Sequence, residues 1–140
     1  MIEIINGNIF EGDADIICHQ VNTYGIMGAG IALQIKEKCL DYQRHGLNPI
    51  GKVLYCRTKY SNVVIANLFS QIGMSTDYNA MKNCLQSIYN DCKKYNETVA
   101  IPYKIGCGIA GGDWNKVYGI IEEIFSQDED VKCTIYKLEE

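Results

Sequence analysis

The sequence predicts an α/β protein: a three-layer α/β/α sandwich around a mixed six-stranded sheet. Two observations predict it. Short, strongly apolar runs alternate with stretches of helical periodicity in the order β, β, α, β, β, α, β, α, β, which calls for a sheet with helices on its faces. Two glycine-rich segments each follow an apolar run directly, and in open α/β sheets ligand loops leave the carboxyl ends of strands.

Taken in order, residues 2–5 form a short strand ended by Asn6-Gly7-Asn8, after which Ile9 and Phe10 re-enter the core. Residues 16–21 are almost continuously apolar, as in a strand buried on both faces. Residues 30–39 have helical character, with Ile31 and Ile35 inward, and Gly46 and Pro49 break the stretch that follows. Residues 53–58 and 63–69 flank a turn and predict a hairpin. Residues 70–77 are polar and predict a loop, with Thr76 or Asp77 as the N-cap of an amphipathic helix over 78–95. Met81, Leu85, Ile88, Tyr89 and Cys92 mark its inner face. Residues 98–101 form a strand stopped by Pro102. Asp113 caps a helix running to Phe125, with Val117, Ile120, Ile121 and Ile124 inward, and residues 131–138 form the last strand. No repeat or linker divides the chain, so one domain over residues 1–140 is expected.

With 47% hydrophobic and 21% charged residues the chain reads as an ordinary globular protein. Its net charge of −4 argues against nonspecific coating of nucleic acid. Cys18, Cys39, Cys56, Cys84, Cys92, Cys107 and Cys133 are odd in number and sit mostly in apolar runs, which predicts reduced core thiols and a cytoplasmic protein. Two histidines and scattered cysteines predict no metal site. No apolar run predicts a signal segment or a membrane span, and a monomer is expected.

The first glycine segment is Gly25-Ile26-Met27-Gly28-Ala29-Gly30. It lacks the Lys-Ser/Thr that a triphosphate loop needs, because Ile31-Ala32 follows. It also lacks the third glycine of a dinucleotide-binding turn. What remains is either a plain strand-to-helix turn or a metal-free diphosphate cradle, in which backbone N–H groups and a helix N-terminus meet the anion. The second segment, Gly106-Cys107-Gly108-Ile109-Ala110-Gly111-Gly112, repeats those physics ahead of Asp113 and Trp114. Asp113 reads as an N-cap rather than a ligand group, and Trp114 as core packing rather than a platform. His19 is either a satisfied structural histidine or an acid/base group. Asn22 could hold a ribose hydroxyl or form an Asx turn. Asp13 and Asp15 are either solvated carboxylates or anchors for an adenine amino group.

At HQVNTYGIMGAGIA and IPYKIGCGIAGGDW the sequence resembles the macrodomains, the ADP-ribose-binding fold. Within them it is similar to the branch of terminal ADP-ribose hydrolases and bacterial DNA ADP-ribosyl glycohydrolases. The resemblance implies that Asn8, Ile9, Tyr136 and Leu138 lie at the adenine. It implies that Gly28, Ala29, Gly30 and Ile31 lie near the distal ribose and diphosphate, and that Gly106, Cys107, Gly108, Ile109 and Ala110 close over the diphosphate. It further implies ADP-ribose, or an ADP-ribosylated DNA or protein, as the partner, with no cofactor.

The branch's catalytic lysine is absent from Ala66-Asn67-Leu68-Phe69-Ser70-Gln71, and Ala110 stands where the animal enzyme has an aspartate. Hydrolysis is therefore expected without a lysyl covalent intermediate, with water positioned by His19, Asn22, Gln71 or the ligand's own phosphate. His19 and Leu68-Phe69-Ser70 also resemble the ADP-ribose-1″-phosphate phosphatases. The alternatives to a hydrolase are such a phosphatase or a reader that binds ADP-ribose without chemistry.

Overall fold

A computed structural model describes residues 1–22, 50–58, 62–108 and 110–138. The strands are β1 (Ile2–Asn6), β2 (Ile16–Asn22), β3 (Val53–Arg57), β4 (Val64–Ile72), β5 (Ser75–Thr76), β6 (Val99–Pro102) and β7 (Cys133–Lys137). The helices are α1 (Tyr78–Tyr95) and α2 (Trp114–Phe125), with a 3₁₀ turn at Ile9–Glu11. They form a seven-stranded sheet in the order β1-β7-β6-β2-β4-β3, with β5 paired to β4. The first five strands of that path run parallel, and β3 returns antiparallel to β4.

The seventh strand corrects the expected six. Residues 70–77 predict a loop because they are polar. Instead β4 continues to Ile72, turns at Gly73 (φ +58°) and pairs back, Gln71 with Thr76 and Ile72 with Ser75. The turn needs a residue at positive φ, and glycine supplies it without steric cost.

The alternation of side chains splits the core into two. One face carries Ile16, Cys18, Ala66, Leu68, Val99, Ile101, Cys133 and Ile135. Both helices bury against this face. From α1 they contribute Met81, Cys84, Leu85, Ile88, Tyr89 and Cys92, and from α2 Val117, Ile121, Ile124 and Phe125. Ile120, expected inward, is only partly buried. Asp77 caps α1 by accepting from the Ala80 N–H at 2.9 Å, and Asp113 caps α2 by accepting from Asn115 at 2.9 Å. The opposite face carries a smaller cluster of Ile9, Ala14, Ile17, Val21, Cys56, Ile65, Phe69 and Ala100. The helix expected over residues 30–39, which would supply the third layer, lies outside the described residues. The six described cysteines are free thiols. Among the described residues no helix is long and apolar enough to cross a membrane.

The connections set where a ligand belongs. The chain leaving β2 returns at β3 on one side of it, and the chain leaving β6 returns at β7 on the other. β2 and β6 are adjacent and parallel, so their carboxyl ends form the topological switch point of the sheet.

Candidate ligand site at the carboxyl edge

Three parallel strands bring these sequence-predicted residues to one edge. Asn22 ends β2, Gln71 lies near the end of β4, and the second glycine segment follows β6. Asn22 and Gln71 are direct register partners because a β-bulge between Val21 and Asn22 skips Ser70. The bulge has a use. Ser70 is fully buried, and its Oγ and carbonyl oxygen lie 3.1 and 3.2 Å from the Gln20 amide nitrogen. The same nitrogen reaches Thr76 Oγ1 at 3.1 Å, and Thr76 Oγ1 donates to the Gly106 carbonyl at 2.7 Å. A hydrogen-bonded path thus runs from β2 through β4 and β5 into the second glycine segment.

That segment is folded on itself as well. Gly112 N–H donates to the Gly106 carbonyl at 2.9 Å, Gly111 to Gly108 at 2.9 Å, and Thr76 N–H to Ala110 at 3.2 Å. Gly106 takes φ +75°, and a Cβ there would press on Thr76, Gln20 and Met81. A Cβ on Gly112 would collide with the Gly106 carbonyl, whereas one on Gly108 would meet nothing within 4 Å. Gly106 and Gly112 therefore shape the segment, and Gly108 presents an open backbone of the kind a diphosphate approaches. Aromatic contacts close its two ends: Tyr103 and Trp114 meet edge-on with ring centroids 5.0 Å apart, and Tyr78 Oη accepts from the Asp113 N–H at 2.9 Å. Trp114 is packing, as its position predicts. Cys107 is partly buried, and burial followed by the nearby Asp113 raises its thiol above the usual range, so it is not a poised thiolate.

Ile9 and Tyr136, expected at the adenine, come together on the smaller core cluster. Asn8 caps the 3₁₀ turn by accepting from the Phe10 N–H at 2.9 Å. The backbone at Gly12 lies so close to the Tyr136 hydroxyl that any Cβ would overlap it. Leu138 is 68% exposed just beyond β7. Gln71 donates from Nε2 to the Gly73 carbonyl at 2.9 Å, which leaves Oε1 as an acceptor. Gly28, Ala29, Gly30, Ile31 and Ile109 lie outside the described residues.

His19 is placed differently from an exposed acid/base. It is 1% exposed on β2, directly opposite Asn67 of β4 in register, and its Nε2 shares a hydrogen bond with Asn67 Oδ1. Asn67 is itself fully buried and donates to the Leu54 carbonyl at 2.9 Å. Burial outweighs the Asn67 bond and lowers the imidazole to about 4, so it is neutral at pH 7. Among the described residues its Nδ1 has no hydrogen-bond partner. Asp15 is also displaced from the adenine role. It lies at the amino end of β2, where its carboxylate accepts from the Thr98 N–H at 2.8 Å.

The sequence reading missed Gln20, Thr76 and Asn67 as parts of the site, and named Ser70 only within the stretch that resembles the phosphatases. Gln20 did carry a signal, as a lone amide near the end of an otherwise apolar strand. Thr76 carried none beyond its capping propensity.

The fold and this edge define a macrodomain. The sequence model of the Macro domain matches residues 18–121, and the chain belongs to that family. It is 26% identical over 140 residues to the ADP-ribose glycohydrolase OARD1 of Homo sapiens, covering 98% of this chain and 91% of that one. It is 28% identical over 145 residues to the ADP-ribose 1″-phosphate phosphatase of Candida albicans, covering 88% of this chain and 93% of that one. Among solved structures, the macrodomain of Mycobacterium tuberculosis DarG superposes with a TM-score of 0.80 at 25% identity, covering 97% of each chain.

Two outcomes check this geometry. Gly112→Ala is expected to lower stability in denaturant by about 1–3 kcal/mol through overpacking, and Gly108→Ala to leave it within about 0.5 kcal/mol. Equal losses would mean that the segment is not folded as described. The His19 imidazole is expected to titrate near 4 by NMR. Because the unfolded chain takes up that proton first, His19's contribution to stability is full above about pH 6.5 and lost as pH falls towards 4. A midpoint near 6.5 would contradict the buried neutral imidazole.

Proposed function

We propose that residues 1–140 form one macrodomain that binds ADP-ribose along the carboxyl edge of β2, β4 and β6 and hydrolyses an ADP-ribosyl linkage there. The observation that carries this reading is the pinned second glycine segment, with Gly108 open, beside the ends of β2 and β4. It is supported by family membership and by a relative named an ADP-ribose glycohydrolase that matches nearly end to end.

In this reading the adenine lies against Asn8, Ile9, Tyr136 and Leu138. The diphosphate passes between the segments at Gly28-Ala29-Gly30-Ile31 and Gly106-Cys107-Gly108-Ile109-Ala110. Backbone N–H groups hold it without metal, and no cofactor is required. The distal ribose reaches Asn22 and Gln71. Water attacks C1″ as the bond from C1″ to the leaving group breaks; Asn22 and Gln71 orient the water, and its proton passes by way of the ligand's own phosphate to the departing atom. No lysine lies between residues 66 and 71, so no lysyl adduct forms. His19, dry and neutral, supports the β2–β4 pairing beneath Asn22 instead of moving protons. The Candida relative motivates the phosphatase alternative, but that route would need an imidazole able to titrate at the substrate, and burial of His19 weighs against it. The protein acts as a cytoplasmic monomer.

The reading predicts that ADP-ribose raises Tm well above the effect of equal NAD or ATP, because ligand binding to the folded state alone stabilises it. In a panel of ADP-ribosylated thymidine DNA, glutamyl-ADP-ribose protein and ADP-ribose-1″-phosphate, ADP-ribose should be released from one of the first two. Gln71→Ala should slow that release roughly a hundredfold with little loss of binding. Gly108→Glu should abolish both while leaving Tm without ligand unchanged. A Tm indifferent to ADP-ribose would overturn the reading. Binding without any release would leave a reader, and phosphate release alone a phosphatase.

A further inference from the structure

Thr76 is bonded to the second glycine segment twice. Its N–H donates to the Ala110 carbonyl at 3.2 Å, and its hydroxyl to the Gly106 carbonyl at 2.7 Å. The two acceptors stand on either side of Gly108, the residue with the open backbone. The other neighbour of the hydroxyl fixes its direction. The Gln20 atom 3.1 Å away also faces the Ser70 carbonyl, which can only accept, so that atom is the amide nitrogen. Thr76 Oγ1 therefore accepts from Gln20 and has its one proton left for Gly106.

On its other side Thr76 belongs to the β4–β5 hairpin, where it is the register partner of Gln71. The hairpin has two paired positions and is tied at both ends. At its base the Asp77 N–H donates to the Ser70 carbonyl at 2.8 Å, and at its tip Gln71 Nε2 donates to the Gly73 carbonyl at 2.9 Å. A piece this short and closed has little room to bend between Thr76 and Gln71. A shift of the glycine segment at Gly106 and Ala110 is thus passed through Thr76 to Gln71. Hydrogen-bond networks and rigid elements carry coupling between sites in this way.

The hydroxyl is not needed to satisfy its neighbours. Without it the Gly106 carbonyl keeps the Gly112 N–H, and the Gln20 amide keeps both Ser70 oxygens. Its removal takes away the link at Gly106 and strands no buried polar group.

We propose that Thr76 is a positioning residue that carries the seating of a diphosphate on the second glycine segment to Gln71. Gln71 then takes its place at the distal ribose when a diphosphate is bound. The proposal rests on the ADP-ribose reading for where the ligand lies.

The test is an NMR titration of the intact protein with ADP and, separately, AMP. It follows the Gln71 side-chain amide and the backbone amides of Gly106, Gly108 and Gly112. ADP carries the diphosphate but no distal ribose to touch Gln71. ADP is expected to shift the segment and Gln71 with one midpoint, and AMP to shift Gln71 at least fivefold less. Thr76→Val should cut the Gln71 response to ADP at least threefold while the segment still responds. Thr76→Ser, which keeps the hydroxyl, should restore it. The proposal is overturned if ADP moves the segment but not Gln71, or if ADP leaves still a segment that ADP-ribose moves. It is equally overturned if AMP moves Gln71 as far as ADP does, if Thr76→Val responds like wild type or loses the segment's response too, or if Thr76→Ser behaves like Thr76→Val. A segment that neither ADP nor ADP-ribose moves would sink the ADP-ribose reading itself, and this proposal with it.

Discussion

The carboxyl edge depends on one chain of hydrogen bonds, from the Gln20 amide through Thr76 to the Gly106 carbonyl. Each link joins parts of the chain that are far apart in sequence: β2, the β4–β5 hairpin, and the loop after β6. Without it the second glycine segment would be held by its own turns, by the Thr76 N–H bond to the Ala110 carbonyl and by the Tyr78 contact at Asp113. With it, the segment's backbone is fixed to the sheet before any ligand arrives. Preorganisation of that kind lowers the ordering cost of binding. The bulge at Ser70 belongs to the same device. It leaves Ser70, which meets Gln20, out of the β2–β4 register and advances Gln71 to pair with Asn22.

A second buried polar contact, His19 with Asn67, does a different job. Both residues lie in the middle of paired parallel strands, on the face with the smaller core cluster. In register they satisfy each other, and Asn67 passes the network on to β3 through the Leu54 carbonyl. A slip of either strand by one residue would turn these groups away from each other and place them against the apolar face under the helices. The pair therefore specifies register, and in the proposed reading the chemistry of the edge falls to the residues just beyond it, Asn22 and Gln71.

Much of this was legible in the sequence. The bounds of α1 follow from its apolar period and from Asp77. The parallel core strands follow from runs that are almost continuously apolar, and the second glycine segment from its composition. What was not legible depended on partners distant in sequence. A polar run such as residues 70–77 carries no period to show that it folds back as a hairpin, so the seventh strand was missed. Thr76 looks like a cap until Gly106 is brought against it. His19 looked available for catalysis because the sequence places it three residues from Asn22. Strand alternation and pairing with Asn67 bury it instead.

The central claim is that ADP-ribose lies along the carboxyl edge of β2, β4 and β6. Backbone amide chemical-shift mapping during titration with ADP-ribose tests it most directly. The account predicts that the largest changes fall at Asn22, at Gln71 to Thr76, at Gly106 to Ala110, and at Asn8, Ile9 and Tyr136. Changes centred instead on Tyr55, Asp91 and Glu97 at the opposite edge, or none at saturating ligand, would contradict it.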